Sequence, residues 1–368
     1  MKDMFSESCT AILDAVQLCT TKLAHMVQES DDKPPPLTEE EIEERTNASS
    51  SEERHELGTT GITLRYAFVS QRGYYPDEPE KPNQDAWFIE PAFQGKPDQF
   101  LMGIFDGHGK CGHDVAEFVR DNLSTTLSQL IDRYPGDFSK AYTNTFLALN
   151  QRVHVNKDID DSNSGTTAIC MIFRGSKIHV ANIGDSRAIV CESKDGRNRA
   201  FSLSIDQTPY RPDERARIRK AGGLVMSYKQ LTGDLPMHDD WGLNLNEEVD
   251  ASGDPPRVWA EGSHSPGCAF TRSIGDASAE EIGVNAECEM VDKELTREDK
   301  MLVIASDGVW EFLTNEAVVD IIAAFDSPLD ASRAVVAEAY RLWLHYDVRT
   351  DDITIAVAFI EYSERALV

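Results

Sequence analysis

No stretch of this 368-residue sequence stays apolar for the roughly 20 residues that a membrane-spanning helix needs. The start, Met1-Lys2-Asp3, carries neither a signal-peptide pattern nor the glycine that myristoylation requires after the initiator. Cysteine is sparse as well. The seven residues Cys9, Cys19, Cys111, Cys170, Cys191, Cys268 and Cys288 are scattered, odd in number and never spaced Cys-x-x-Cys, which argues for reduced thiols and against structural zinc. The expected address is the cytoplasm or the nucleus. Positive charge is in deficit: 36 Lys and Arg face 64 Asp and Glu, a formal net charge of -28. Such a chain repels nucleic-acid backbones and anionic membrane surfaces, so neither nucleic acid nor a membrane is an expected partner. Part of the acidic excess is plainly solvated, as in the run from Glu39 to Glu44, and part is available to gather cations.

From Phe5 to Val27 apolar residues recur at near-helical spacing, which predicts an amphipathic helix within residues 1–30, ended by Asp31-Asp32-Lys33-Pro34-Pro35-Pro36. Three roles are open to this N-terminal segment: to dock a partner, to pack in cis on its own domain, or to do neither. Residues 31–59 are acidic, Ser-rich and poor in apolar side chains, the composition of a mobile linker. One main domain is predicted over 60–362, followed by a tail at 363–368. Inside it, residues 227–266 are rich in Gly and Pro, and so long an irregular segment in a compact domain usually has a function. Trp241 and Trp259 favour a folded flap there over a floppy loop.

Short strand-like runs dominate the main domain, at 101–105, 166–173, 177–183, 186–190, 301–305 and 353–360, with helical patterns at 114–123, 315–325 and 330–344. In the last run Ile353, Ile355, Val357 and Phe359 share one face, while Thr354, Ala356, Ala358 and Ile360 share the other. Both faces are largely apolar, so this strand is predicted to be covered on both sides. Gly184-Asp185, between two strand-like runs, reads as a hairpin turn. Strands and helices mix without strict alternation, which favours α+β over a doubly wound parallel sheet.

Two segments share a construction. Leu101 to Phe105 runs into Asp106-Gly107, and Met301 to Ser306 runs into Asp307-Gly308, each placing an Asp at the end of a buried strand where Gly permits a sharp turn. Asp351-Asp352 precedes the Ile353 strand, and Asp85 stands just before Trp87-Phe88. Carboxylates gathered at one sheet edge repel unless a cation lies between them, and hard oxygen ligands select Mg²⁺ or Mn²⁺ over zinc. An Asp-Gly corner is also an ordinary turn, and spacing alone does not separate the two readings. His108 follows Asp106-Gly107 directly. It is either a proton donor at the same site or an ordinary core or surface histidine.

A rival motif overlaps the first corner. Gly107-His108-Gly109-Lys110-Cys111-Gly112 is a literal G-x-G-x-x-G between a strand and a helical pattern, the fingerprint of a dinucleotide-dependent oxidoreductase. Against it, Asp106 would set a negative charge beside the pyrophosphate, and about 20 residues on the sequence is helix-like where the motif calls for a second strand ending in an acidic residue. Calcium binding at 158–163 fails on the missing Gly at the sixth position and on Ile169 where a bidentate Glu belongs.

Taken in order, eight stretches resemble the PPM family, the metal-dependent type-2C Ser/Thr protein phosphatases: Lys81 to Asp85, Phe105 to Gly109, Ser164 to Ala168, Asn182 to Arg187, Lys220 to Gly223, Thr271 to Asp276, Ala305 to Trp310 and Thr350 to Thr354. The resemblance covers the chain from about residue 60 to 361. The flap and the helix around Arg341-Leu342-Trp343-Leu344 look most like phosphatase domains fused to kinases. The resemblance implies a four-layer αββα sandwich of two antiparallel sheets flanked by helix pairs. It implies two Mg²⁺ or Mn²⁺ ions, with a weaker third in some members, and phosphoprotein substrates. By position, Asp106 matches the carboxylate bridging both metals, Gly107 a carbonyl ligand, Asp307 and Asp351 the other direct ligands, and Asp85 an acidic residue holding metal-bound water. Asp185 matches a ligand of the third metal, and His108 matches the general acid.

Two departures stand out. Asp351-Asp352 replaces the Asp-Asn common in the family, which leaves open which carboxylate reaches a metal; alignment with the following Ile-Thr favours Asp351. The Arg that grips the substrate phosphate in well-known members is replaced by Glu80, so Lys81 or Arg72 is the expected substitute cation. The implied activity is hydrolysis of phosphoserine and phosphothreonine by metal-activated water. The competing reading is a catalytically silent docking module with the same fold.

Overall fold

The computed structural model describes residues 37–239, 241 and 253–364. The predicted N-terminal helix, most of the tail and the middle of the flap lie outside these residues. Two antiparallel sheets stack face to face. The first has the order Thr46–Ala48, Ile62–Gln71, Ile353–Tyr362, Asp299–Ala305, Arg187–Lys194, Arg197–Ser202, with Glu53–Glu56 also on Ile62–Gln71. The second has the order Ile274–Gly275, Gly165–Thr166, Gln99–His108, Ala168–Arg174, Lys177–Ile183, Glu289–Glu294, with Asp85–Pro91 also on Gln99–His108.

Alternation along the strands builds three apolar layers. Between the sheets, Phe100, Met102, Ile104, Ile169, Met171 and Phe173 meet Leu64, Val190, Leu302, Ile304, Ala356 and Ala358. On the outer face of the first sheet, Ile353, Ile355 and Val357 pack with Val318, Ile322, Val335 and Ala339 from the helices Asn315–Ile322 and Pro328–Tyr346. On the outer face of the second, Leu101, Phe105, Cys170 and Ile172 pack with Val119, Leu123, Phe146 and Leu149 from Gly112–Arg133 and Phe138–His154. The result is the expected α+β sandwich of helix pair, sheet, sheet and helix pair. Local signals start the helices: Thr314, Ser327 and Asp137 each accept a backbone N–H of the first turn, and Pro328 opens the last helix.

Two expectations are corrected. The stretch read as a linker belongs to the domain from residue 37 onward: Glu39–Glu44 is helical, and Thr46–Ala48 and Glu53–Glu56 pair in turn with the edge of Ile62–Gln71. Leu37, Ile42 and Ala48 pack on the core, and Leu57 is fully buried. Its charged composition is that of an edge strand, whose outward side chains blunt further pairing and form ion pairs such as Arg54–Glu361. Gly184-Asp185 is no hairpin either. The strand before it lies in the second sheet and the strand after it in the first, so the chain crosses between sheets at Gly184, φ +94°.

The acidic cavity at the end of the sandwich

Asp106 lies near the end of Gln99–His108 in the second sheet and stands directly opposite Asp85 on the neighbouring strand. From the first sheet, Asp307 opens a short helical turn after Asp299–Ala305, and Asp351 precedes Ile353–Tyr362. The crossover brings Asp185 to the same end. Asp106, Asp185, Asp307 and Asp351 line one cavity of about 690 Å³, together with Gly107, His108 and Lys81. Glycine is required at 107, because a Cβ there would lie 2.3 Å from the Gly112 carbonyl oxygen.

The carboxylates are crowded. Enclosure pushes Asp106 and Asp307 well above the usual carboxylate range; Asp307 adds to the shift of Asp106, and Asp351 to that of Asp307. Enclosure and then Asp352 raise Asp85 to about 8, and enclosure and then Asp206 raise Asp185 to about 6. Asp85 is buried and accepts the Ser306 hydroxyl on Oδ2 at 2.8 Å, yet its Oδ1 has no hydrogen-bond partner. An unpartnered carboxylate oxygen beside mutually repelling carboxylates suits a hard divalent cation and its water. Among the described residues the tightest acidic triad lies elsewhere. Asp213, Glu214 and Glu289 bring oxygens within 4.8 Å of one another, but Arg211, Arg217 and Arg272 neutralise them.

The two neighbouring aspartates do different things. Asp352 accepts the backbone N–H groups of Gly73 at 2.7 Å and Gln84 at 2.8 Å, one on each oxygen. Asp351 faces the cavity and accepts the Tyr75 hydroxyl on Oδ1 at 2.5 Å.

His108 Nε2 lies 2.6 Å from Oδ2 of the buried Asp276, and the ring packs on Phe270 at 4.3 Å between centroids. Asp276 also accepts the Ser273 hydroxyl at 2.6 Å, and Gly165 lets it approach, since a Cβ there would sit 2.2 Å from Oδ2. Sequence reasoning gave Asp276 no role. The signal was the repeated Ile-Gly-Asp of 183–185 and 274–276, each delivering an Asp to this cavity.

The two expected phosphate-binding cations part company. Lys81 lines the acidic cavity, with Nζ 3.8 Å from the centre of the Tyr75 ring. Arg72 lines a second cavity of about 640 Å³ with Arg45, Asn83, Asp85 and Arg120, whose lining does not include His108. Arg257 and Arg349, which sequence reasoning passed over, also reach the acidic cavity. Arg257 comes from the described part of the flap, where Leu224–Met226, Arg257–Trp259 and Pro266–Cys268 form a three-stranded sheet and the Trp259 indole N–H donates to the Met226 carbonyl at 2.8 Å. The G-x-G-x-x-G reading fails on topology, because among the described residues every ladder of both main sheets is antiparallel and no parallel crossover cradles the motif.

Residues 77–342 match the family described as Protein phosphatase 2C. "Probable protein phosphatase 2C 35" of Arabidopsis thaliana is 45% identical over 300 residues, 80% of this chain and 84% of that protein. "Probable protein phosphatase 2C 64" of Oryza sativa subsp. japonica is 34% identical over 268 residues, 71% of this chain and 58% of that protein. Among solved structures, serine-threonine phosphatase 2C from Toxoplasma gondii superposes with a TM-score of 0.66 at 16% identity, over 86% of this chain and 99% of that one. A C. elegans sex determining protein gives 0.59 at 19% identity, over 79% of this chain and 64% of that one. At these identities the two structures speak for the fold.

Proposed function

Because the chain belongs to the protein phosphatase 2C family and is thereby a Ser/Thr protein phosphatase, we propose that it works as a two-metal hydrolase on phosphoserine and phosphothreonine in proteins. Asp106, Asp307, Asp351 and the Gly107 carbonyl would hold the two Mg²⁺ or Mn²⁺ ions, with Asp85 holding bound water and Asp185 serving a weaker third ion. When bound, such ions neutralise phosphoryl charge and lower the pKa of attacking water toward neutrality. The observation that carries this reading is the convergence of Asp106 and Asp185 with Asp307 and Asp351 on one cavity that also contains His108.

The chain's own residues supply the rest. His108 holds a proton for the departing seryl or threonyl oxygen, which is a poor leaving group as an alkoxide. Asp276 orients the ring through its Nε2 contact and Phe270 limits its tilt. Lys81 is the cation proposed to meet the substrate phosphate, since it lines the cavity and Arg72 does not. Asp352 serves as a clamp, joining the first sheet to the loop that carries Lys81. The proposed compartments are the cytoplasm and nucleus, on the strength of the unpaired cysteines among the described residues.

The test is release of phosphate from a phosphothreonine peptide with Mn²⁺, lost on chelation and restored by Mn²⁺. Turnover that persists in a chelator would overturn the metal mechanism. No turnover with any divalent ion would favour the silent docking module.

A further inference from the structure

Lys81 and Asp351 meet at one side chain. Tyr75 lies on the loop between the strands Ile62–Gln71 and Asp85–Pro91, and this loop is stitched to the segment before Ile353. Tyr74 N donates to Thr350 Oγ1 at 2.9 Å, Thr350 N donates to the Tyr74 carbonyl at 3.0 Å, and Gly73 N donates to Asp352 at 2.7 Å. The approach is so close that a Cβ on Gly73 would lie 2.7 Å from Thr350 O and from the Tyr75 ring. The tyrosine is therefore anchored by the backbone of the two residues before it, and both of its chemical faces are in use: the hydroxyl donates to Asp351 Oδ1 at 2.5 Å, and the ring carries Lys81 Nζ at 3.8 Å from its centre.

We propose that Tyr75 is a positioning residue for both parts of the site, its hydroxyl orienting the Asp351 carboxylate toward a divalent ion and its ring seating the Lys81 ammonium for the substrate phosphoryl group. The second half rests on the reading of Lys81 as the phosphate-binding cation. Among the described residues the Lys81 ammonium has no ion pair or hydrogen bond, so its three N–H groups remain available to an anion. The ring face attracts the cation without using those donors, and holds it in a cavity whose carboxylates would otherwise bind it directly. A hydrogen bond to a ligating carboxylate fixes its orientation, and loss of such a contact typically costs 10- to 100-fold in metal affinity.

Two variants of the full chain separate the halves. Tyr75→Phe removes the hydroxyl and keeps the ring; pentafluorophenylalanine in place of Tyr75 keeps that shape and reverses the ring's charge distribution. Mn²⁺ affinity is read by calorimetry without substrate, and inorganic phosphate is read as a competitive inhibitor at saturating Mn²⁺. Tyr75→Phe is expected to weaken Mn²⁺ about ten-fold and to leave the phosphate inhibition constant near that of the parent. Pentafluorophenylalanine is expected to raise that constant about five-fold over Tyr75→Phe, and to add nothing in a Lys81→Ala background. Unchanged Mn²⁺ affinity in Tyr75→Phe overturns the hydroxyl half. Equal phosphate constants for the two ring forms, or a fluorine effect that survives Lys81→Ala, overturn the ring half. If Lys81→Ala by itself leaves phosphate inhibition unchanged, the assignment of Lys81 as the phosphate-binding cation fails, and the ring half fails with it.

Discussion

His108 Nε2 lies 2.6 Å from Asp276 Oδ2, although 168 residues separate the two in the chain. The contact is built from both sides. Gly165 opens space for the carboxylate, and the Ser273 hydroxyl donates to the same oxygen. An imidazole held this way is aimed before substrate arrives, which is what a proton donor to a leaving oxygen needs.

His108→Ala is therefore expected to lower kcat on a phosphothreonine peptide by about 10²-fold, with Mn²⁺ affinity intact. A phosphoester whose leaving group is already acidic, such as p-nitrophenyl phosphate, should be slowed far less. Asp276→Asn should show the same leaving-group dependence in weaker form. Equal losses on both substrates would mean that His108 does not deliver the proton.

The paired aspartates predict unequal consequences. Asp351→Asn replaces a cavity carboxylate and is expected to weaken Mn²⁺ binding and turnover together, as Asp106→Ala and Asp307→Ala should more severely, nearly abolishing activity. Asp352→Asn keeps one acceptor for the Gly73 or Gln84 N–H and should change kcat only a few-fold, while costing about 1 kcal/mol of stability. Calorimetric Mn²⁺ titration and thermal melts of the two single variants decide between them. A greater loss of Mn²⁺ affinity in Asp352→Asn would exchange their roles.

Residues 37–59 are expected to contribute stability rather than chemistry. Deleting residues 1–59 exposes the edge of Ile62–Gln71 and removes the packing of Leu37, Ile42 and Leu57. The deletion should lower stability by about 3 kcal/mol or more, the range for losing buried aliphatic contacts, with aggregation as the uncovered edge pairs with other chains. A truncated protein melting at the temperature of the full chain would show that these strands add nothing.

Much of this architecture was legible because burial leaves a pattern. The two apolar faces of 353–360 announced a strand with protein on both sides, and Ile355 and Ala356 indeed belong to different core layers. Asp106 and Asp307 were legible as matched strand ends. Residues 46–56 were not, because an edge strand held by backbone hydrogen bonds can be as polar as a linker. Gly184-Asp185 misled for a related reason: a local signal marks a sharp corner but not whether the next strand returns to the same sheet. Asp276 and Tyr75 were hidden because their roles lie in contacts with His108, Asp351 and Lys81, which only the packed sandwich brings near.

The ion network around the buried Glu214 predicts how acid unfolds the chain. Burial alone would raise the Glu214 carboxyl, but hydrogen bonds from Arg272, Arg217 and Thr271 outweigh it and hold it at about 2, below its ordinary 4.5. A carboxyl depressed in the folded state contributes stability that is present above the unfolded value and is lost as pH falls from about 4.5 toward 2. Glu214→Gln is expected to cost about 2 kcal/mol at neutral pH, because it leaves the partly buried Arg217 and Arg272 without their shared anion, with Glu289 still beside Arg272. It should also flatten the fall in stability between pH 5 and pH 3, measured by urea unfolding in buffers of matched ionic strength. A variant that loses stability over that interval as steeply as the parent would show that other carboxylates carry the acid sensitivity.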